Sequence, residues 1–193
     1  MFPDAQQMDG AVERATHSNC VKAHVGAVMV IEGHTKVTGY NGTIKKYPNC
    51  QEGGCSRCLD MSLNRGEALD RCVCVHAEEN AIVSAARAGI SIDGADCFVT
   101  HEPCLGCTKL LIQLGLQRVV YLLDFEYDNT YDHNENRKAL RDYSASHGGT
   151  SFVPFDREID KNLVDRWEEK LEELKADALA RAGDAGLLTG RRS

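Results

Sequence analysis

The stretch Cys72-Val73-Cys74-Val75-His76-Ala77-Glu78-Glu79-Asn80-Ala81 decides how this chain is read, and Pro103-Cys104-Leu105-Gly106-Cys107 answers it further on. His76, Cys104 and Cys107 offer one imidazole and two thiolates, a donor set that suits zinc and leaves a fourth tetrahedral position for water. Glu78, two residues after His76, brings a carboxylate beside that ion without itself being a ligand, so it reads as a proton shuttle.

Residues 76–88 have helix-forming composition, with Ala77, Ala81, Ile82 and Ala85 on one face and Gly89 closing the run. A second helix is expected over 104–114. Both would carry their candidate ligands in the first turn, so two positive helix ends would face the ion and favour thiolate over thiol.

Outward from this centre, Met8, Ala11, Val12 and Ala15 recur at helical spacing and predict an N-terminal amphipathic helix ending near Ser18-Asn19. Residues 25–31 form a compact apolar run that reads as a buried strand, in a hairpin with 36–40. Further strands are expected at 95–100, 119–123 and 150–153, with a helix over 133–146 before the last. The order α-β-β-α-β-α-β predicts an α/β fold with a mixed sheet covered by helices. Over 157–182, Ile159, Leu163, Trp167, Leu171, Leu174 and Ala178 repeat at helical spacing and predict a helix that packs on the core or on a neighbouring subunit. The expected organisation is a zinc-carrying domain over 1–156, a helical extension of it over 157–182, and a flexible tail over 183–193.

The chain of 193 residues contains no apolar run near the ~20 residues of a membrane span. Met1-Phe2-Pro3-Asp4 lacks the basic-then-apolar order of a secretory leader, so a cytoplasmic protein is expected. The formal charge of −7 argues against a large nucleic acid as partner, while a small nucleotide needs only a local basic pocket. Of the nine cysteines, six fall in C-x-x-C and C-x-C pairs, and without a leader they read as metal ligands rather than as a disulfide framework. Cys20, Cys50, Cys55, Cys58, Cys72 and Cys74 lie outside the first site. They flank or punctuate a polar segment from Asn41 to Arg71 that is too long for an ordinary connection. A second, structural zinc is the expectation there.

The spacing H-x-E…P-C-x-x-C matches the signature of zinc nucleobase deaminases. Gly39-Tyr40-Asn41-Gly42-Thr43, Cys74-Val75-His76-Ala77-Glu78-Glu79-Asn80-Ala81-Ile82 and Val99-Thr100…Pro103-Cys104-Leu105-Gly106-Cys107 together resemble the deoxycytidylate (dCMP) deaminase family, over about 20–121. The resemblance implies a three-layer α/β/α cytidine-deaminase-like fold with a mixed central sheet. It also implies hydrolysis of dCMP to dUMP and ammonia, supplying dUMP for thymidylate synthesis. By the same analogy Asn41 contacts the nucleotide sugar, and the protein is a homo-oligomer, commonly a hexamer, regulated by dCTP and dTTP near the Gly39 to Thr43 turn. Family members with a second zinc take ligands at positions matching Cys20, Cys50 and Cys74. Cys55 is then the expected fourth ligand, with Cys58 or Cys72 as alternatives. His101-Glu102 departs from the family pattern, and the helix from Arg157 lies beyond the matched part. Two competing functions stand beside this one: a deaminase of another free cytosine nucleotide or nucleoside, and a non-catalytic zinc-held module that senses a nucleotide.

Overall fold

In the computed structural model, which describes residues 4–64, 66–127 and 132–190, the central sheet comprises β1 (Gly26–Ile31), β2 (Thr35–Tyr40), β5 (Asp96–His101), β6 (Arg118–Leu123) and β7 (Ser151–Pro154). A separate two-stranded ribbon pairs β3 (Gly42–Thr43) with β4 (Cys74–Val75). The helices are α1 (Asp4–Ala15), α2 (Ser56–Leu59), α3 (Ala77–Ala88), α4 (Leu105–Gln113), α5 (His133–Ser146) and α6 (Leu163–Asp184). Strand order in the main sheet is β2-β1-β5-β6-β7. β1 runs antiparallel to both its neighbours, whereas β5, β6 and β7 are parallel, so the sheet is mixed as expected.

Successive side chains of a strand point to opposite faces, and β1 divides its apolar run accordingly. Ala27 and Met29 meet Ala77, Ala81 and Ala85 of α3 and Leu111 of α4. Val28 and Val30 join Phe98, with Met8 and Ala11 of α1 and Leu163, Trp167 and Leu171 of α6, on the other side. Helices therefore cover both faces, which is why the strand reads as a continuous apolar run. The result is the expected three-layer α/β/α architecture.

Two glycines set how closely helices approach this sheet. A Cβ on Gly26 would lie 2.0 Å from the Ala11 carbonyl oxygen of α1. On the opposite face, a Cβ on Gly39 would lie 2.1 Å from the Ala77 carbonyl oxygen and 2.5 Å from the Ala81 nitrogen. The first turn of α3 thus rests directly on β2, and that contact fixes the height of the turn that carries Glu78.

Three boundaries differ from the sequence reading, each for a local reason. α1 ends at Ala15 rather than near Ser18-Asn19, because the Thr16, His17 and Ser18 amides bond carbonyls three residues back in a tighter turn. α6 starts at Leu163, not at 157, because Asp156 and Asp160 accept from the Glu158 and Asn162 amides, and these side-chain turns compete with the helix. Ile159, expected on the apolar stripe, is 48% exposed as a result. The stretch expected as a flexible tail from Gly183 instead continues α6 to Asp184 and then turns back. The Leu187 amide bonds the Ala182 carbonyl, Thr189 pairs with Leu59 and Met61, and Leu187 and Leu188 pack on the cysteine-rich segment. Residues 191–193 of that tail lie outside the described residues. Among the described residues no helix is long and apolar enough to cross a membrane.

Gly39→Ala forces a methyl group into the α3 backbone, and the cost is expected at or above the ~1–3 kcal/mol typical of overpacking. Urea denaturation of the variant checks this. A loss below about 0.5 kcal/mol would show that α3 does not rest on β2 at this point.

Candidate active site

His76 and Cys104 are the residues that immediately precede α3 and α4, and each serves as the N-cap of its helix. The His76 amide donates to Glu79 Oε2 at 2.8 Å, tying the start of α3 to its own first turn. Cys104 Sγ accepts from the Cys107 amide at 3.5 Å, which places the second cysteine in the first turn of α4. The sheet sets the two helix starts side by side. His76 Nδ1 consequently lies 3.4 Å from Cys104 Sγ and 3.4 Å from Cys107 Sγ.

These three ligand atoms all fall within 4.8 Å of one another. Tetrahedral zinc with Zn–N of ~2.0–2.1 Å and Zn–S of ~2.3 Å sets imidazole nitrogen and sulfur about 3.5 Å apart, so the donor set fits that ion. The protonation of the bare trio points the same way. The Cys107 hydrogen bond pulls the Cys104 thiol down to about 3 against the effect of burial, with His76 lowering it further. Cys107 is pushed up by its bond to Cys104 and by burial. One thiolate is therefore already present among three closely packed donors, and a dication that displaces the remaining protons relieves their competition.

Glu78 is 3% exposed and shares a cavity of about 400 Å³ with His76, Cys104 and Asn41. Burial pushes its carboxyl up to about 7, the charge of His76 pulls it back, and the Cys104 thiolate raises it further. A carboxyl poised near neutrality can both accept and return a proton.

Asn41 occupies the cavity wall, with its side chain engaged on the backbone opposite. Its Nδ2 donates to the Ala23 carbonyl at 2.9 Å and its Oδ1 accepts from the Val25 amide at 2.8 Å. One Nδ2 hydrogen remains beyond these two bonds. Tyr127 is buried, and its hydroxyl accepts from the Leu105 amide at 2.7 Å, which satisfies a first-turn N–H of α4. Cys97 is buried within β5, apart from either metal-ligating group.

Of the residues proposed for a structural zinc, Cys20, Cys50 and Cys74 come together, and the cysteine that completes their group is Cys58. Cys55 instead groups with Cys58, Cys72 and Cys74. The reason is local: Cys55 caps α2 and Cys58 sits one turn on, so both sulfurs point into the same cluster from different sides.

Sequence reasoning missed the support beneath the C-x-x-C. Glu102, two residues before Cys104, is buried and pairs with Arg137 of α5 at 3.0 Å and with Arg141, while also accepting from the Phe125 amide at 3.2 Å. Arg137 further donates to the Pro103 carbonyl at 3.4 Å. A buried carboxylate held by two guanidinium groups fixes the ligand loop onto α5. The pairing spans the sequence between β5 and α5, and the unusual His101-Glu102 before Pro103 was its one trace.

Residues 1–123 match the family model described as the cytidine and deoxycytidylate deaminase zinc-binding region. A deoxycytidylate deaminase of Schizosaccharomyces pombe is 41% identical over 126 residues, which are 65% of this chain and 38% of that protein. The chain thus spans about two fifths of that relative's length. A deoxycytidylate deaminase of Mycobacterium phage D29 is 36% identical over 58% of this chain and 87% of the phage protein. Among solved structures, the dCMP deaminase of cyanophage S-TIM5 in complex with dCMP and dUMP superposes with a TM-score of 0.57 at 28% identity, covering 80% of this chain and 99% of that one.

Glu102→Ala leaves Arg137 buried without its carboxylate and is expected to cost about 3–5 kcal/mol in chemical denaturation. The same variant should lose its hold on zinc at Cys104 and Cys107 in a competition with a chelating dye. Unchanged stability together with unchanged zinc retention would remove Glu102 from the support of the site.

Proposed function

The chain belongs to the cytidine and deoxycytidylate deaminase zinc-binding family, and from that premise we propose that it hydrolyses the 4-amino group of dCMP, giving dUMP and ammonia and so supplying dUMP for thymidylate synthesis. The observation that carries this reading is the placement of Glu78, a buried carboxyl with a near-neutral pKa in the same cavity as His76 and Cys104, which group with Cys107. A module that only sensed a nucleotide would gain nothing from such a group beside an open metal position. dCMP rather than another cytosine compound is favoured by the deoxycytidylate deaminases of yeast and phage it resembles and by the dCMP-bound cyanophage protein.

His76, Cys104 and Cys107 would hold the zinc. When bound, the ion supplies Lewis acidity, lowering the pKa of water toward ~7. Glu78 then does the proton work. It takes a proton from the attacking water and delivers it to ring nitrogen N3 as the new C4–O bond forms, then takes the remaining proton from the C4 hydroxyl and gives it to the amine as the C4–N bond breaks and the C4 carbonyl forms. Water and dCMP thus become dUMP and ammonia with one carboxyl moving each proton. Burial of Glu78 keeps bulk water from competing for these transfers.

Asn41 contacts the sugar through its remaining Nδ2 hydrogen, and its two backbone bonds hold it in place to do so. Lys22 and Arg57 line the same cavity and supply positive charge for the phosphate. Assembly into a homo-oligomer, commonly a hexamer in this family, and control by dCTP and dTTP near the Gly39 to Thr43 turn belong to the same reading.

Glu78→Gln keeps the size of the side chain but cannot carry the proton. Turnover of dCMP is expected to fall by roughly a hundred-fold to ten-thousand-fold with zinc still bound. Parent-level ammonia release from that variant would refute the role. A panel of dCMP, CMP, dCTP and cytidine, run with and without dCTP and dTTP as effectors, should show dCMP preferred, and a preference for any other member would reassign the substrate.

A further inference from the structure

Six sulfurs from separated parts of the chain meet under the active site. Cys20 follows α1, Cys50, Cys55 and Cys58 come from the polar segment, and Cys72 and Cys74 lead into His76. They form two groups of four, Cys20/Cys50/Cys58/Cys74 and Cys55/Cys58/Cys72/Cys74, with ligand atoms within 4.8 Å in each. Cys58 and Cys74 belong to both. From this sharing we propose that the six cysteines hold a binuclear zinc-thiolate cluster, two zinc ions each with four sulfurs, bridged by Cys58 and Cys74.

The distances agree with two tetrahedra sharing an edge. A Zn–S bond of ~2.3 Å places sulfurs of one tetrahedron about 3.8 Å apart. The shared edge, Cys58 to Cys74, measures 3.9 Å. On one side Cys20 lies 3.7 Å from Cys58, and on the other Cys72 lies 3.7 Å from Cys58 and 3.8 Å from Cys55. Cys50 to Cys74 is shorter, at 3.0 Å. None of the six is in a disulfide.

A single zinc in the first group would leave Cys55 buried and Cys72 half-buried, each in contact with another sulfur but with no ion. Placing a second zinc there completes a tetrahedron from thiols already present, and sharing two ligands is what lets six sulfurs satisfy two ions. Zn₂Cys₆ is an established arrangement in small protein modules. The charge also closes: each added dication comes with two added thiolates, so the cluster bears the same two-minus charge as a single four-thiolate site. Lys22 and Arg57, which stand in the wall of the adjoining cavity together with Cys20, Cys58, Cys72 and Cys74, partly offset it.

The surroundings suit a structural metal core. Val21, Leu59, Ala178 and Ala182 are buried against the cysteines, and Leu187 and Leu188 close over them. The end of α6 and the segment after it therefore form a lid of apolar side chains, and metal takes the part that an apolar core plays elsewhere. Cys74, a bridging ligand, lies on β4 two residues before His76, so the cluster also anchors the strand that delivers the first catalytic-site ligand. The proposal concerns a different set of residues from the deaminase reading and does not require it.

Metal content of the full chain by mass spectrometry tests it, together with NMR of protein refolded with a spin-active cadmium isotope. Three zinc ions per chain are expected, and two in His76→Ala, whose loss is confined to the catalytic trio. Two tetrathiolate cadmium signals should be split by coupling to each other through the shared sulfurs. Cys55→Ala should lose one further ion and abolish that splitting. Fewer than two zinc ions remaining in His76→Ala, a single or uncoupled tetrathiolate signal, or iron with acid-labile sulfide would overturn the proposal. A parent chain with both cluster ions but none at His76 would instead count against the catalytic reading alone.

Discussion

His76 Nδ1 sits 3.4 Å from Cys104 Sγ and from Cys107 Sγ, and that convergence lasts only while the starts of α3 and α4 stay side by side. Each helix is held by a separate device. Gly39 lets α3 rest directly on β2, and Leu111 seats α4 on the same face of the sheet. The ligand loop is tied from behind by Glu102, Arg137 and Arg141. Loosening any of these moves a ligand by more than the few tenths of an ångström that metal coordination tolerates.

The same placement explains the electrostatics. Hydrogen bonds from Cys107 and His76 favour thiolate at Cys104 against burial, while burial keeps the Glu78 carboxyl from ionising as readily as one in water. A carboxyl that is hard to charge, next to a Cys104 thiol that is easy to charge, separates the tasks of binding metal and moving protons. Deamination needs both in one cavity, and the cavity of about 400 Å³ is of a size to take a small ligand.

How much of this was legible in the sequence depends on how local the determining contacts are. The His76, Glu78, Cys104 and Cys107 set could be read because each pair lies within one helical turn and the sheet joins the two turns. Strands β1, β5 and β6 could be read because both of their faces are buried. The choice between Cys55 and Cys58 stayed open in the sequence, because the two are one turn apart and their grouping depends on how α2 lies against Cys20 and Cys72. The Glu102 pairs were hidden for a similar reason, since only the folded sheet brings β5 and α5 together. At the start of α6, a helical pattern was overruled by aspartate side chains bonding their own backbone. The residues after Gly183 look like a tail because their partners, Leu59 and Met61, lie on the cysteine-rich segment.

The cysteine-rich segment and the end of α6 form a base for β4, the strand leading to His76. The most direct test of the central claim is diffraction from crystals recorded on both sides of the zinc absorption edge. The account predicts an anomalous peak within bonding distance of His76 Nδ1, Cys104 Sγ and Cys107 Sγ, with the Glu78 carboxyl facing its remaining side. Zinc density confined to the other six cysteines, in fully loaded protein, would contradict it.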